Sequence, residues 1–211
     1  VNYLNIDDLT GIEDFTALME FLCNGNQLTS LDFSSNTALG NLSCNQNQLT
    51  SLSVNTALQT LQCNYNLLTS LDISGATALI YLECNYNQIT GLDVSQNTAL
   101  THLRCEDNQL TSLDVRNGNN TNFILFWGTN NPNLNCISVD DSVWSATNWT
   151  DIDPQHYFSN NCSGTTNIEE HTTNKELFKV TDLLGRETKQ TNQPLFYIYD
   201  DGTVEKRIVI E

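Results

Sequence analysis

Apolar residues return along this chain with two nested periods. Between residues 17 and 119 the phrase Leu-x-x-Leu-x-Cys-x-x-Asn-x-Leu recurs five times, with Phe21 standing for the second Leu in the first copy. In the second copy it reads Leu39, Leu42, Cys44, Asn47 and Leu49. The copies begin at Ala17, Ala38, Ala57, Ala78 and Ala99, and their cysteines are Cys23, Cys44, Cys63, Cys84 and Cys105. The long period is therefore 21 residues, with one step of 19 where two residues are missing between Val54 and Asn55. Within each copy Leu-x-Cys alternates with a period of two, which predicts a short strand buried on one side. A second alternation, Leu31-Asp32-Phe33 in the first copy through Leu113-Asp114-Val115 in the fifth, predicts a second extended run on the opposite side of each copy.

A unit this short cannot bury its apolar side alone, so it must stack on its neighbours. Stacked in parallel at roughly 4.8 Å, each column becomes a ladder. Phe21, Leu42, Leu61, Leu82 and Leu103 form one inward ladder; Leu28, Leu49, Leu68, Ile89 and Leu110 form another. The predicted fold class is a repeat solenoid with parallel β-strands in each coil, capped at both ends and followed by a small β-rich module. Residues 1–16 read as an N-terminal partial repeat and cap, through Leu4, Leu9, Ile12 and Phe15. Residues 17–119 are the five repeats. Residues 120–162 read as a degenerate repeat (Phe123, Phe126, Asn131, Leu134) and C-terminal cap. The shortened second copy predicts a tighter outer turn.

The pattern resembles the leucine-rich repeat, with Cys in a column that is usually Leu. That resemblance implies recognition of a partner through the strand face on the concave side. The Asn-rich, Cys-laddered copies likewise look like surface or secreted leucine-rich repeat proteins of flavobacteria.

Three polar columns follow the same period. Asn26, Asn47, Asn66, Asn87 and Asn108 carry both donors and acceptors, and so can satisfy backbone where the coil turns. Asp32, Asp72, Asp93 and Asp114 stack like charges, interrupted by Ser53. Ca²⁺ prefers six to eight oxygens, so one carboxylate per coil is too few for a dedicated site. The column reads as screened by water and salt, with weak Ca²⁺ bridging as the alternative. The five ladder cysteines should point in parallel into the core, as inert small hydrophobes. Their spacing lacks the short C-x₂-C of zinc sites. Cys136 and Cys162 bracket Trp144, Trp149, Tyr157 and Phe158, and are expected to pair and close a capping loop if the chain reaches an oxidising compartment. Two unrelated buried thiols are the alternative.

The composition changes after Cys162. Residues 163–174 read as a linker, and 175–211 alternate at Phe178/Val180, Phe196/Ile198 and Ile208/Ile210, with a turn at Asp201-Gly202. Thr181-Asp182-Leu183-Leu184-Gly185-Arg186, Tyr199 to Lys206 and the terminal Ile208-Val209-Ile210-Glu211 resemble the C-terminal sorting domain of the type IX secretion system. That resemblance implies export across an outer membrane by that secretion machinery, often with tail removal and surface attachment.

Charge sharpens this picture by exclusion. The 211 residues carry a net charge of −17, and before residue 163 the only bases are Arg104 and Arg116. Neutralising phosphates takes clustered Lys and Arg, so nucleic acid and anionic lipid are poor partners. No apolar run approaches a membrane span. No signal peptide is visible from Val1, as in a mature or trimmed form, which leaves secretion open.

No catalytic constellation is visible: the histidines His102, His156 and His171 lie one per region, without metalloprotease, nucleophile-elbow or phosphate-loop motifs. Glu83, Glu106 and Asp107 are expected on an open face, where solvent denies a carboxylate pair the raised pKa that glycoside hydrolysis needs. The chain is read as no enzyme, with no cofactor and no metal. The outward positions are bland in the early coils, whereas Tyr65, Tyr81, Tyr86, His102 and Arg104 gather in the last three. Tyr and Arg most often anchor interfaces, so these five are the candidate ligand-binding residues. The partner expected is a surface or matrix protein, with the chain secreted or on the outer cell surface. A carbohydrate-binding module using a flat tyrosine shelf is the alternative, and a non-binding acidic spacer the third reading.

Overall fold

The computed structural model describes residues 1–162 and, in the tail, 177–181, 194–199 and 204–208. The chain divides into two compact units, Val1–Ser163 and Gly164–Glu211.

In the first unit, strands of three residues alternate between two faces. The first face holds β1 (Glu20–Leu22), β3 (Asn41–Ser43), β5 (Thr60–Gln62), β6 (Tyr81–Glu83), β8 (His102–Arg104) and β10 (Leu125–Trp127). They form one parallel six-stranded sheet in that order. The register runs Phe21 to Leu42, Leu61, Leu82, Leu103 and Phe126, so each strand turns its central residue inward. The second face holds β2 (Ser30–Asp32), β4 (Ser51–Ser53), β7 (Gly91–Asp93), β9 (Ser112–Asp114), β11 (Cys136–Ser138) and β12 (Tyr157–Ser159). Here the sheet is split: β2 pairs with β4, and β7, β9, β11 and β12 form a separate sheet. The alternation predicted an extended run in every coil, but Leu71-Asp72-Ile73 forms no strand. The break falls directly after the coil that lacks two residues. The first face keeps its register because each coil spans the same residues between its second Leu and its Asn; the deletion is absorbed on the other side.

The thiols lie fully buried and unpaired in the core. Each Sγ–H points at a carbonyl of the next coil, for example Cys63 to Glu83 O at 3.5 Å and Cys44 to Gln62 O at 3.6 Å. Burial pushes the Cys23 thiol up to about 12 and those of Cys44, Cys63, Cys84 and Cys105 well above the ordinary range. A thiol held protonated by burial is a poor nucleophile and a poor metal ligand.

The asparagine column staples each coil to the one before it. Asn66 Nδ2 donates to Cys63 O at 3.1 Å in its own coil and to Cys44 O at 3.0 Å in the previous one, while its Oδ1 accepts from Leu49 N. Asn26, Asn47, Asn87, Asn108 and Asn131 repeat this geometry. A second, unforeseen column lies at the outer turn: Asn36, Asn97 and Asn117 donate to carbonyls of the preceding coil, and Asn55 donates to Leu39 O at the start of its own shortened coil. Coil 3 has Ala76 in that column and lacks the staple. The aspartates of the second face cap their own turns, with Oδ1 of Asp32, Asp72, Asp93 and Asp114 each accepting an amide two residues on.

The two ends differ. Residues 1–6 continue the solenoid as half a coil, with Val1 N on Leu22 O, Tyr3 N on Asn24 O, and Leu4 N and Ile6 N on Asn26 Oδ1. Ile6, Leu9 and Ile12 pack on the core, but Tyr3, Leu4, Phe15 and Met19 stay exposed, so this end is only partly covered. At the other end α1 (Ser142–Asn148) starts at Asp141, whose side chain accepts from Val143 N and Trp144 N. Trp149 stacks on Phe126 at 4.2 Å, closing the Leu ladder, and packs against Phe123, Trp144 and Phe158. Asp153 replaces the asparagine staple, its two oxygens accepting from Asn130 N and Asn131 N at 2.8 Å. Cys136 and Cys162 form a disulfide with Cα atoms 5.7 Å apart.

In the second unit β13 (Leu177–Thr181), β14 (Pro194–Tyr199) and β15 (Val204–Ile208) form an antiparallel sheet in chain order. The linker, residues 182–186, 200–203 and 209–211 lie outside the described residues.

Candidate functional site

The first face presents two outward rows, because each three-residue strand turns its first and last side chains away from the core. One row runs Glu20, Asn41, Thr60, Tyr81, His102, Leu125; the other runs Leu22, Ser43, Gln62, Glu83, Arg104, Trp127. A third row follows one residue beyond the thiol column: Asn24, Asn45, Asn64, Asn85 and Glu106. In it Asn24 Oδ1 accepts from Asn45 N, Asn45 Oδ1 from Asn64 N, and Asn64 Oδ1 from Asn85 N. At Glu106 the relay stops, and Asn85 Oδ1 is left without a donor.

Coils 4 to 6 carry a charged and aromatic cluster in these rows. Glu83 sits at its centre, only 7% exposed. Its Oε1 accepts from the Tyr81 hydroxyl and faces Arg104 Nη1 at 3.5 Å; its Oε2 accepts from Gln62 Nε2 at 3.1 Å and Asn64 Nδ2 at 2.8 Å. Arg104 donates Nε to Glu106 Oε1 at 3.0 Å and pairs with it through Nη2 as well. The guanidinium carbon lies 4.3 Å from the centroid of Trp127, a cation–π contact. The His102 ring tilts against Tyr81 at 5.2 Å. Burial, then the bond to Glu83, push the Tyr81 phenol up to about 12.

The carboxylates here differ from expectation. Glu83 and Glu106 are not on an open face: each is less than a tenth exposed, beneath Arg104 and its neighbours. The reason is that one arginine spans two coils and covers both. Charge-assisted bonds of this kind are directional and hold the side chains in one arrangement. Such a cluster presents its side chains in one fixed arrangement.

The structure brings together Tyr81, His102 and Arg104 and sets Tyr65 and Tyr86 apart. The latter two lie at the turn beyond the strands, in a column with Gly25, Gln46, Asp107 and Asn130, all left-handed. Their φ is +56°, a conformation that bulky side chains rarely adopt. Both rings are nearly half exposed and stack on each other, 4.3 Å apart and 8° from parallel. Each thus gives one face to the other, and no flat shelf runs from Tyr81 through Tyr65 and Tyr86. Trp127 was missed from the sequence. The degenerate coil has Gly128 in the thiol column, and Leu125-Phe126-Trp127 is apolar throughout, so no alternation marks Trp127 as outward.

Two cavities adjoin these surfaces. A groove of about 690 Å³ runs along the second face past Leu71, Gly91, Asp93, Asp114, Arg116 and the disulfide. A smaller one of about 190 Å³ lies at the cap end of the first face, between β10, Trp144 and Trp149. No group of acidic, His or Cys side chains among the described residues could hold a metal ion. No helix among them is long and apolar enough to cross a membrane.

Solved structures share this fold. A leucine-rich repeat protein of Leptospira interrogans matches with a TM-score of 0.52 and 20% identity over 72% of this chain and 51% of that one. An internalin of Listeria monocytogenes matches with a TM-score of 0.52 and 24% identity over 74% and 47%. The functional domain of InlJ from Listeria monocytogenes, which includes a cysteine ladder, is 29% identical over 65% and 42% at a TM-score of 0.40. The chain thus spans about half the length of the structures it matches. No family model matches it, and no curated protein does. The fold is that of the leucine-rich repeat solenoids, built on a spacing of about 21 residues.

Proposed function

We propose that this chain is an exported recognition module that binds a protein through the first face of its solenoid. Arg104 and Trp127 are the centre of the contact, with Tyr81 and His102 beside them. One observation carries the reading. The outward rows pass from Asn41, Ser43 and Thr60 to a cluster in which Arg104 is fixed by Glu83, Glu106 and Trp127 before any partner arrives. Interface anchors are typically Trp, Tyr and Arg, held rigid so that little freedom is lost on binding. Fold alone does not specify this function; the cluster is what supports it.

The partner class is a surface or matrix protein. Export by the type IX route is supported by the sorting-domain-like tail, and an oxidising destination by the Cys136–Cys162 bridge. The carbohydrate reading draws on the exposed Tyr65 and Tyr86 pair, whose backbone strain a purely structural role would not need.

The test is a binding panel of purified bacterial surface proteins and polysaccharides, probed with the full chain and two variants of unchanged melting temperature. A protein hit weakened tenfold or more in Trp127→Ala/His102→Ala, and unaffected in Tyr65→Ala/Tyr86→Ala, supports the reading. A polysaccharide hit lost in the tyrosine variant replaces it with the carbohydrate module. No hit in either panel leaves the acidic spacer.

A further inference from the structure

Tyr65 and Tyr86 stand 21 residues apart in the chain, and the solenoid makes them neighbours. Each occupies the same place in its coil. Their backbone amides make the same bond to the next coil, Tyr65 N to Asn85 O and Tyr86 N to Glu106 O, both at 3.1 Å. Both have a φ of +56°. Side chains carried by repeats of one backbone point the same way, so the rings lie face to face, 4.3 Å between centroids and 8° from parallel. Such a pair sets hydroxyl beside hydroxyl and ortho carbon beside ortho carbon. The charge of Asp107, then the neighbouring phenol of Tyr65, raise the Tyr86 phenol above its ordinary range, and the Asp107 carboxylate is within reach of its proton.

Stacking alone is a weak reason for this pair. Gly25, Asp107 and Asn130 in the same column tolerate a left-handed backbone, whereas tyrosine fits it poorly. Two adjacent coils carry that strain, and the rings gain little shelter from it, each staying nearly half exposed. Strain kept at neighbouring positions points to a use for the side chains. Tyr3 supplies the contrast. It stands in the same column with a φ of +55°, but its ring covers Gly25 and its hydroxyl donates to Gln46 Oε1 at 3.3 Å, which is a packing role. Among the described residues no other two tyrosine rings stack.

We propose that Tyr65 and Tyr86 form an oxidative cross-linking site, joined into a dityrosine by hydrogen peroxide acting through a haem peroxidase. Each phenol loses one electron and its hydroxyl proton, that of Tyr86 toward Asp107. The two phenoxyl radicals carry unpaired spin on their ortho carbons, and one such carbon from each ring joins in a carbon–carbon bond. The hydrogen on each joined carbon then leaves as a proton while each oxygen takes one up, which restores two aromatic phenols. In sum the two phenols lose two electrons and two protons, and the peroxide takes them to become two waters. Rings that already face each other need no diffusive search, so coupling outpaces side reactions. Both rings are open to an oxidant. The sulfurs that would quench a radical are out of the way, five cysteines being buried and the other two bridged. The bond ties coil 3, which lacks a strand on the second face and the outer asparagine staple, to coil 4. The site works whatever the first face binds.

The full chain, dilute, is treated with a haem peroxidase and a limited amount of hydrogen peroxide. The expected product is a monomer two hydrogens lighter, with the fluorescence of dityrosine, whose peptides carrying Tyr65 and Tyr86 stay joined after proteolysis. The chain has seven tyrosines, so the same digest reads the selectivity. Tyr65→Phe keeps a ring in the stack and should lower the yield about tenfold, while Tyr157→Phe, at an exposed tyrosine outside the pair, should leave it unchanged. Unfolding the chain in urea before oxidation should lower the 65–86 product by a similar factor, because the rings no longer face each other. A 65–86 bond no more abundant than bonds between other tyrosines overturns the site, as does an equal yield from the unfolded chain. Dimers joined through Tyr3 or Tyr157 in place of the internal bond overturn it too.

Discussion

The two faces of the solenoid are built from the same coils and behave differently. The first is one uninterrupted sheet of six strands; the second is split at coil 3. Every departure in coil length lies on the second side: the two residues missing after Val54, and the longer step from Cys105 to Gly128. The outer asparagine staple is also absent at Ala76, directly after the short coil. A coil stack can vary in length only where its register is not read by a neighbour. Variation is therefore confined to one side, and the other stays regular enough to align Glu83, Arg104 and Trp127 across three coils.

That comparison can be sharpened by substitution. Leu82→Ala, in the unbroken sheet, should cost about 4 kcal/mol, and Leu71→Ala, in the unpaired run, about 2 kcal/mol. Denaturant unfolding measures both, and equal losses would erase the distinction. Asn66→Ala removes an inter-coil staple and leaves buried carbonyls and an amide without partners, a loss of about 3 kcal/mol. The same change at Asn55, which donates one side-chain bond, to Leu39 O of its own coil, should cost about half of that. Inserting two residues between Val54 and Asn55 should let 71–73 pair. Hydrogen exchange would then slow by about tenfold at those amides and stay unchanged on the first face, reflecting about 1.4 kcal/mol of local stability. No change at 71–73 would mean that something other than coil length causes the split.

The smallest effect is acid sensitivity on the second side. The Ser34 and Ser74 bonds hold the Asp32 and Asp72 carboxyls below their ordinary range, and Arg116 does so for Asp114. Carboxyls depressed in the folded state contribute their full stabilisation above about pH 4, and lose it as the pH falls through their folded values. Because these groups are largely solvated, the loss is slight. Asp72→Asn should flatten the acid limb of the stability curve a little. A variant that steepens it would reverse the sign assigned here.

Most of this architecture was legible in the sequence because the solenoid repeats its physics every coil. Leu42 and Leu61 face one environment, so their column is visible as a column. What escaped was whatever one coil does alone. Trp127 sits in a coil that has lost its Cys, and although Phe126 and Asn131 keep their columns, an apolar residue beside Phe126 reads as core rather than surface. Glu83 and Glu106 alternate outward, as an exposed residue would. Contacts between coils bury them, from Arg104 to both and from Gln62 and Asn64 to Glu83, and such contacts have no signature along a chain. The left-handed turn was hidden for another reason: Gly25, Asp107 and Asn130 favour it, but Tyr65 and Tyr86 in the same column disguise it. The Asn36 and Asn97 column is present in four of the five copies, Ala76 interrupting it, and was overlooked because Asn is common in turns.

The stack of thiols has a consequence for how the molecule is made. Before the coils close, all seven cysteines are ordinary thiols, and an oxidant can join any two of them. Once stacked, five are withdrawn from that competition, because burial shuts them from an oxidant and pushes their thiols well above the ordinary range. Cys136 and Cys162 are then the only pair left to react. Where assembly of the coils outruns oxidation, the covalent clasp is the last piece fitted. The core works as a built-in proofreader, admitting one bridge by hiding the sulfurs that would make the wrong ones.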